Sequence, residues 1–157
     1  MQIGNDILDS REVQARCDEL QEEHADLKDA LDEAQGELDS LDADASEADK
    51  TAAQDAVDAA EEALSDWIDS NESEFEALKT LCEEGSNYAG GWQHGAALVK
   101  DSYFVEYAQQ LASDMHGTRA CDSSWPFNCI DWDQAANLLK QDYTEISAGG
   151  ESYWVQS

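Results

Sequence analysis

The chain has 157 residues, of which 37 are Asp or Glu and only 8 are Lys or Arg, for a net charge of -29. Such an excess repels nucleic acid and anionic membrane, which excludes both as direct partners and leaves a basic protein surface as the complementary one. No stretch approaches the roughly 18 apolar residues of a membrane span, and the first residues lack the basic and apolar pattern of a secretory signal, so a cytoplasmic protein is expected.

The charge is uneven. Residues 1–85 hold 28 acids and 5 bases, whereas residues 86–157 hold 9 acids and 3 bases. Adaptation of a whole proteome to salt would spread the acids more evenly. The composition therefore divides the chain into an acidic segment, 1–85, and a smaller, aromatic-rich domain, 86–157.

Residues 1–10, with Gly4, Asn5 and Asp6, read as loosely ordered; Ser10 is placed to cap a helix, with Glu12 near the positive end of its dipole. Val13, Cys17, Leu20, His24, Leu27, Leu31, Ala34, Leu38 and Leu41 then recur at alternating steps of four and three. That is the 3.5-residue period of a coiled-coil seam, sustained for about 48 Å at ~1.5 Å per residue. With Cys17 at position a, the outward b, c and f positions carry Asp18, Glu19, Glu22, Asp26, Asp29, Asp32, Glu33 and Asp39, and no base. His24, at an a position, reads as a polar residue that sets register.

The pattern breaks at Asp42, and Ser46 followed by Asp49 resembles a capping box, so a second helix begins there and folds back antiparallel. Its seam is Ala53, Val57, Ala60 and Leu64, shifts by one residue near Trp67 and Ile68, and resumes at Phe75, Leu78 and Cys82; Asp55, Asp58, Glu62, Asp66 and Asp69 point outward. Ser70–Ser73 either kinks this helix or lies within a continuous one reaching about Glu84. Gly85 reads as its end, Gly90-Gly91 as a flexible joint, and Trp92 as a wedge between the hairpin and the next domain.

Leu98, Phe104, Ala108, Leu111 and Met115 predict a core-facing helix over Ala96–Met115, closed by Gly117 and followed by a loop to Trp125-Pro126. A short helix opens at or just before Asp131, with Trp132, Ala135, Ala136, Leu138 and Leu139 as its apolar face, and ends near Gln141. Tyr143–Ser147, a turn at Ala148-Gly149-Gly150 and Ser152–Gln156 predict a β-hairpin packed on these two helices. Tyr103, Tyr107, Trp125, Trp132 and Trp154 are expected in the core. The fold class is mainly α with a small α+β C-terminal domain: a long antiparallel helical hairpin, then two helices and a β-hairpin.

Enzymatic motifs are lacking. His94, His116, Cys121 and Cys129 have none of the short Cys-x-x-Cys spacing of structural zinc sites, and the scattered Cys17, Cys82, Cys121 and Cys129 read as reduced thiols. Gly90-Gly91 lacks the lysine and helix-opening context of a phosphate loop, and Glu61-Glu62 and Glu83-Glu84 lie on exposed helix. No nucleophile and base share a recognisable context, so the expectation is a protein with no catalytic activity, metal or cofactor.

One resemblance adds to this. Ser102-Tyr-Phe-Val-Glu-Tyr-Ala-Gln-Gln-Leu-Ala-Ser-Asp114, Trp125-Pro126, Cys129-Ile-Asp-Trp-Asp-Gln-Ala-Ala-Asn-Leu-Leu139, Asp142-Tyr143 and Tyr153-Trp-Val155 resemble the C-terminal domain of ArdA-type antirestriction proteins, over about Ala96 to Val155. The resemblance implies a phage or mobile-element protein acting inside a host cell, without catalytic residues or cofactor. It also implies an acidic homodimer that mimics the phosphate array of duplex DNA and occupies the DNA-binding groove of a type I restriction enzyme; related acidic mimics block CRISPR effectors. The family's N-terminal domains are replaced here by the acidic hairpin.

The magnitudes suit such a role. About 48 Å of B-DNA presents on the order of 28 phosphates, and residues 1–85 supply 28 carboxylates against 5 bases. The function expected is therefore inhibition of a DNA-targeting defence system by charge mimicry. The thirteen outward acids of the two helices would form the binding face. The alternative is a non-catalytic coiled-coil adaptor whose acids only keep it soluble, as in a salt-adapted host.

Overall fold

The computed structural model describes residues 3–42, 44–116, 125 and 127–157. It contains α1 (Ser10–Asp39), α2 (Glu47–Tyr88), α3 (Phe104–His116) and α4 (Trp132–Leu139), with β1 (Ile7–Asp9), β2 (Ala97–Lys100), β3 (Tyr143–Ala148) and β4 (Glu151–Gln156). The fold is mainly α with a small antiparallel sheet, as the patterns predict. Two compact units divide it: Met1–Ala15 with Glu76–Ser157, and Arg16–Phe75. Both boundaries fall inside helices, so the division differs from the compositional one at 85/86. Charge marks where the acids change, whereas packing draws the first turn of α1 and the last turns of α2 into the unit that holds the sheet.

In the Arg16–Phe75 unit, the two helices follow the expected seam. Between Asp18 and Asp42, the residues that are not exposed are Leu20, His24, Leu27, Leu31, Ala34, Leu38 and Leu41, which are the expected seam positions. On α2 the inward set is Ala53, Val57, Ala60, Leu64, Trp67, Ile68, Asn71, Glu74 and Phe75, with Val57 and Trp67 buried. The helix runs unbroken through Ser70–Ser73. Ser46 caps it: the Asp49 amide donates to Ser46 Oγ at 3.2 Å, and that hydroxyl donates to Asp49 Oδ2 at 2.7 Å. Arg16 meets Glu74 at 3.4 Å and His24 stacks on Trp67 at 4.7 Å, so positions advancing along α1 meet positions receding along α2, as an antiparallel pair requires. His24 is thus satisfied within an aromatic cluster that also includes Phe75.

The other unit is built on a sheet of order β1-β2-β4-β3, antiparallel throughout. Within the stretch expected to be loose, Ile7, Leu8 and Asp9 instead form a strand, paired with Val99, Leu98 and Ala97. A three-residue strand has no periodicity to detect, and its partner lies some ninety positions away. The helix expected over Ala96–Met115 likewise divides into β2, a turn of 3-10 helix at Asp101–Tyr103, and α3. One sheet face carries Val99 and Trp154, packed with Phe104, Ala108 and Ala136. Along the strands the opposite positions Leu8, Leu98, Ile146, Ala148, Tyr153 and Val155 are all buried, as are Val13, Ala77, Leu78 and Leu81 of the same unit. Asp101 ties the first layer together, accepting from Trp154 Nε1 at 2.7 Å and from Lys140, whose ammonium lies 4.6 Å from the Trp154 ring centre.

The helix α2 passes through Gly85 and ends at Tyr88. Gly85 is required for a different reason: a Cβ there would lie 2.1 Å from Trp92 Cζ3. Trp92 is accordingly buried, with its ring against Gly85 of α2 and its Nε1 donating to Gln14 Oε1 at 3.4 Å. Three more expectations change. Trp125 is 80% exposed, Met115 69% and Leu138 58%, so these are surface and not core residues. Tyr103, Tyr107, Trp132 and Trp154 are half-buried. The expected helix stop at Gly117, Pro126 and Cys121 lie outside the described residues.

Ser10 does not cap α1 either. Its hydroxyl donates to the Trp92 carbonyl at 2.5 Å and accepts from the Ala96 amide at 2.8 Å, a buried tie between distant segments. Asp9 takes the capping role by accepting from the Arg11 amide at 2.8 Å, and its carboxylate also receives the Arg11 guanidinium at 2.7 Å. The guanidinium bond, with the amide bond second, lowers the Asp9 pKa to about 2. A depressed carboxylate stabilises the fold above its unfolded value of about 3.9 and loses that effect as pH falls through the folded value. The melting difference between wild type and Asp9→Asn is thus expected to be full at pH 7 and to vanish as pH falls through about 2. A difference that stayed constant over that range would assign the Asp9 contribution to geometry alone.

Candidate partner-binding acidic surface

The acids selected by heptad position all lie in the Arg16–Phe75 unit. On α1 they are Asp18, Glu19, Glu22, Asp26, Asp29, Asp32, Glu33 and Asp39; on α2 they are Asp55, Asp58, Glu62, Asp66 and Asp69. All thirteen are exposed. The local reason is the seam itself. Once a and d turn inward, b, c and f are held outward, and neighbours three or four apart stack into stripes along the helix.

Other acids of the unit fall into two groups. Glu37, Asp42, Asp44, Glu47, Asp49, Glu61 and Glu72 are also exposed and enlarge the charged surface, although heptad position did not select them. Counting every acid outside the seam, including those of the connection, would have found them. Glu23 and Glu74 have structural duties: Glu23 accepts from Trp67 Nε1 at 3.2 Å, and Glu74 pairs with Arg16. Glu37 and Asp49 flank an open notch of about 410 Å³ floored by Leu41, Ala52, Ala53 and Ala56.

The unit holds 22 acids and 3 bases. Arg16 is engaged by Glu19 at 2.6 Å and by Glu74, and these contacts raise its pKa further, so it neutralises part of its own surroundings. Lys50 lies 3.4 Å from Glu47. The net charge of -19 sits on helical segments about 36 and 43 Å long at ~1.5 Å per residue. Duplex DNA of that length carries on the order of 21 to 25 phosphates at one charge per roughly 1.7 Å. The linear charge density of the pair is therefore close to that of a duplex.

Among the described residues no cluster of three or more His, Cys, Asp or Glu side chains could hold a metal ion, and no helix is long and apolar enough to cross a membrane. Cys17 and Cys82 are buried, Cys129 is exposed, and none of these three is in a disulfide. No family model, curated protein or solved structure matches the chain.

Proposed function

We propose that this protein is a non-catalytic, phage- or mobile-element-encoded inhibitor of host DNA-targeting defence. It acts in the host cytoplasm as an acidic mimic of duplex DNA. The observation that carries the reading is the exposure of all thirteen heptad-selected acids on a helical pair with 22 carboxylates and 3 bases. A groove that grips DNA presents Arg and Lys to phosphates, and the same side chains would meet these carboxylates in their place. The resemblance of residues 96–155 to the ArdA-type C-terminal domain supports the same class of target, a type I restriction enzyme or a CRISPR effector complex.

The test is binding to purified complexes of both kinds as salt is raised. Mimicry that engages six to ten basic contacts should lose about 10³- to 10⁵-fold in affinity between 50 and 200 mM salt, and duplex DNA should compete for the site. Affinity that is flat with salt, or indifferent to DNA, would sink this reading and favour the adaptor.

A further inference from the structure

A cleft of about 500 Å³ lies in the unit that holds the sheet, just past the carboxyl end of α2. Ala89, Gly90 and Gly91, which follow that helix, form part of its wall, and its polar side chains include His94, Tyr107, Tyr143 and Gln156. The volume is that of a small-molecule site. Two of the wall residues are glycines that the fold does not require. Gly90 and Gly91 have no positive φ, and a Cβ on either would meet no atom within 4 Å beyond its immediate chain neighbours. Gly95, at φ 93°, is different, because its backbone conformation favours glycine. What Gly90 and Gly91 do is keep the cleft open.

The cleft is electronegative although no Asp, Glu, Lys or Arg lines it. The dipole of the 42-residue α2 places partial negative charge at Tyr88, and no base stands in the last turn to offset it. Among the described residues no backbone amide donates to the carbonyls of Ser86, Asn87 or Tyr88. A smaller cleft of about 210 Å³ shares Ala89, Gly90 and His94 with the first and reaches Ser86, so the helix end borders both. The Tyr107 and Tyr143 hydroxyls bond to each other at 3.1 Å and keep lone pairs for a ligand. Burial, and then the bond to Tyr107, raises the Tyr143 pKa, so this hydroxyl stays uncharged. The side chains of His94 and Gln156 bond no other group among the described residues.

We propose that this cleft binds a small organic amine, its ammonium group facing the carboxyl end of α2 and its body lying over Gly90 and Gly91 against the two tyrosines. An ammonium group carries only donors, and the helix end, the hydroxyls, His94 and Gln156 offer it acceptors. A tyrosine ring face beside the cation adds to the attraction. A carboxylate or phosphate finds no base in the wall and meets the field of a chain with net charge -29. A neutral ligand gains from neither the dipole nor that field.

This inference does not depend on the role of the acidic helices, and amide NMR of the full chain tests it separately. The probe is phenethylamine, with 2-phenylethanol and phenylacetate as its neutral and anionic counterparts. At about pH 8 an alkyl amine is an ammonium ion, as lysine is, and about 0.15 M salt screens the exposed carboxylates. Phenethylamine should shift the amides of Gly90, Gly91 and Gly95 saturably. The alcohol should bind about tenfold more weakly, the worth of one charge-assisted hydrogen bond, and phenylacetate should leave these amides unmoved. Gly91→Leu fills the wall at a position with room for a side chain, and should weaken the amine about tenfold or more with an unchanged melting temperature. Tyr143→Phe keeps the ring and removes one acceptor, and gives an answer even where Gly91→Leu fails to fold: it should narrow the margin of amine over alcohol. Neutralising Asp18, Glu22, Asp26 and Asp29 should leave the affinity nearly as it is. No saturable shift of the glycine amides, shifts confined to the acidic helices, equal binding of amine and alcohol, a folded Gly91→Leu chain that binds as wild type does, or an unchanged margin in Tyr143→Phe would each overturn the proposal.

Discussion

Replacing Asp18, Glu22, Asp26 and Asp29 together by Asn or Gln is expected to weaken binding to a DNA-binding groove by about 100-fold, at four exposed ion pairs of roughly 0.7 kcal/mol each. The dependence of log affinity on log salt should also flatten by nearly four. Folding should not suffer. The four side chains are exposed, and they stand three or four residues apart along α1. Like charges at that spacing repel by about 0.2–0.5 kcal/mol per pair, so the melting temperature should hold or rise. Binding isotherms at two salt concentrations beside thermal melts would decide. A variant that inhibits as well as wild type assigns the acids to solubility and leaves the adaptor reading.

The second large effect is on stability. Gly85→Ala would ordinarily strengthen a helix interior by about 1 kcal/mol. Here the added methyl would lie 2.1, 2.6 and 2.8 Å from three carbons of the Trp92 ring, which is rigid and only 6% exposed. Overpacking of this kind costs about 1–3 kcal/mol or more, which overrides the propensity gain and reverses the sign. A drop in melting temperature of several degrees is expected. Gly85→Ala combined with Trp92→Leu should then be less destabilised than the two single changes added together. Simple additivity in that double-mutant cycle would mean that the clash is not the cause.

Much of the hairpin was legible because its information is local. A seam position on α1 is fixed by neighbours three and four residues away, and burial follows the heptad from Cys17 to Leu41. The capping box at Ser46 and Asp49 and the glycine turn at Gly149-Gly150 are equally short-range, and both form as their residue types require. The thirteen acids of the candidate surface follow from the same heptad, since whatever is not seam faces outward.

The remainder needed the tertiary structure. Ile7–Asp9 becomes a strand only because β2 lies beside it, and Leu98 and Val99 enter the sheet because β1 and β4 flank them. Taken alone, their apolar residues fit a helical face as well as a strand. Gly85 looks like a helix stop until Trp92 is seen against it, and Ser10 looks like a cap until its hydroxyl is found bonded to Trp92 and Ala96. The sequence by itself determined the acidic helical pair, its antiparallel turn and the final β-hairpin, because each depends on contacts within a few residues or on one short turn. Only the tertiary structure decided the four-stranded sheet and the unit boundaries within the two long helices. Those depend on backbone groups and burial brought together from opposite ends of the chain.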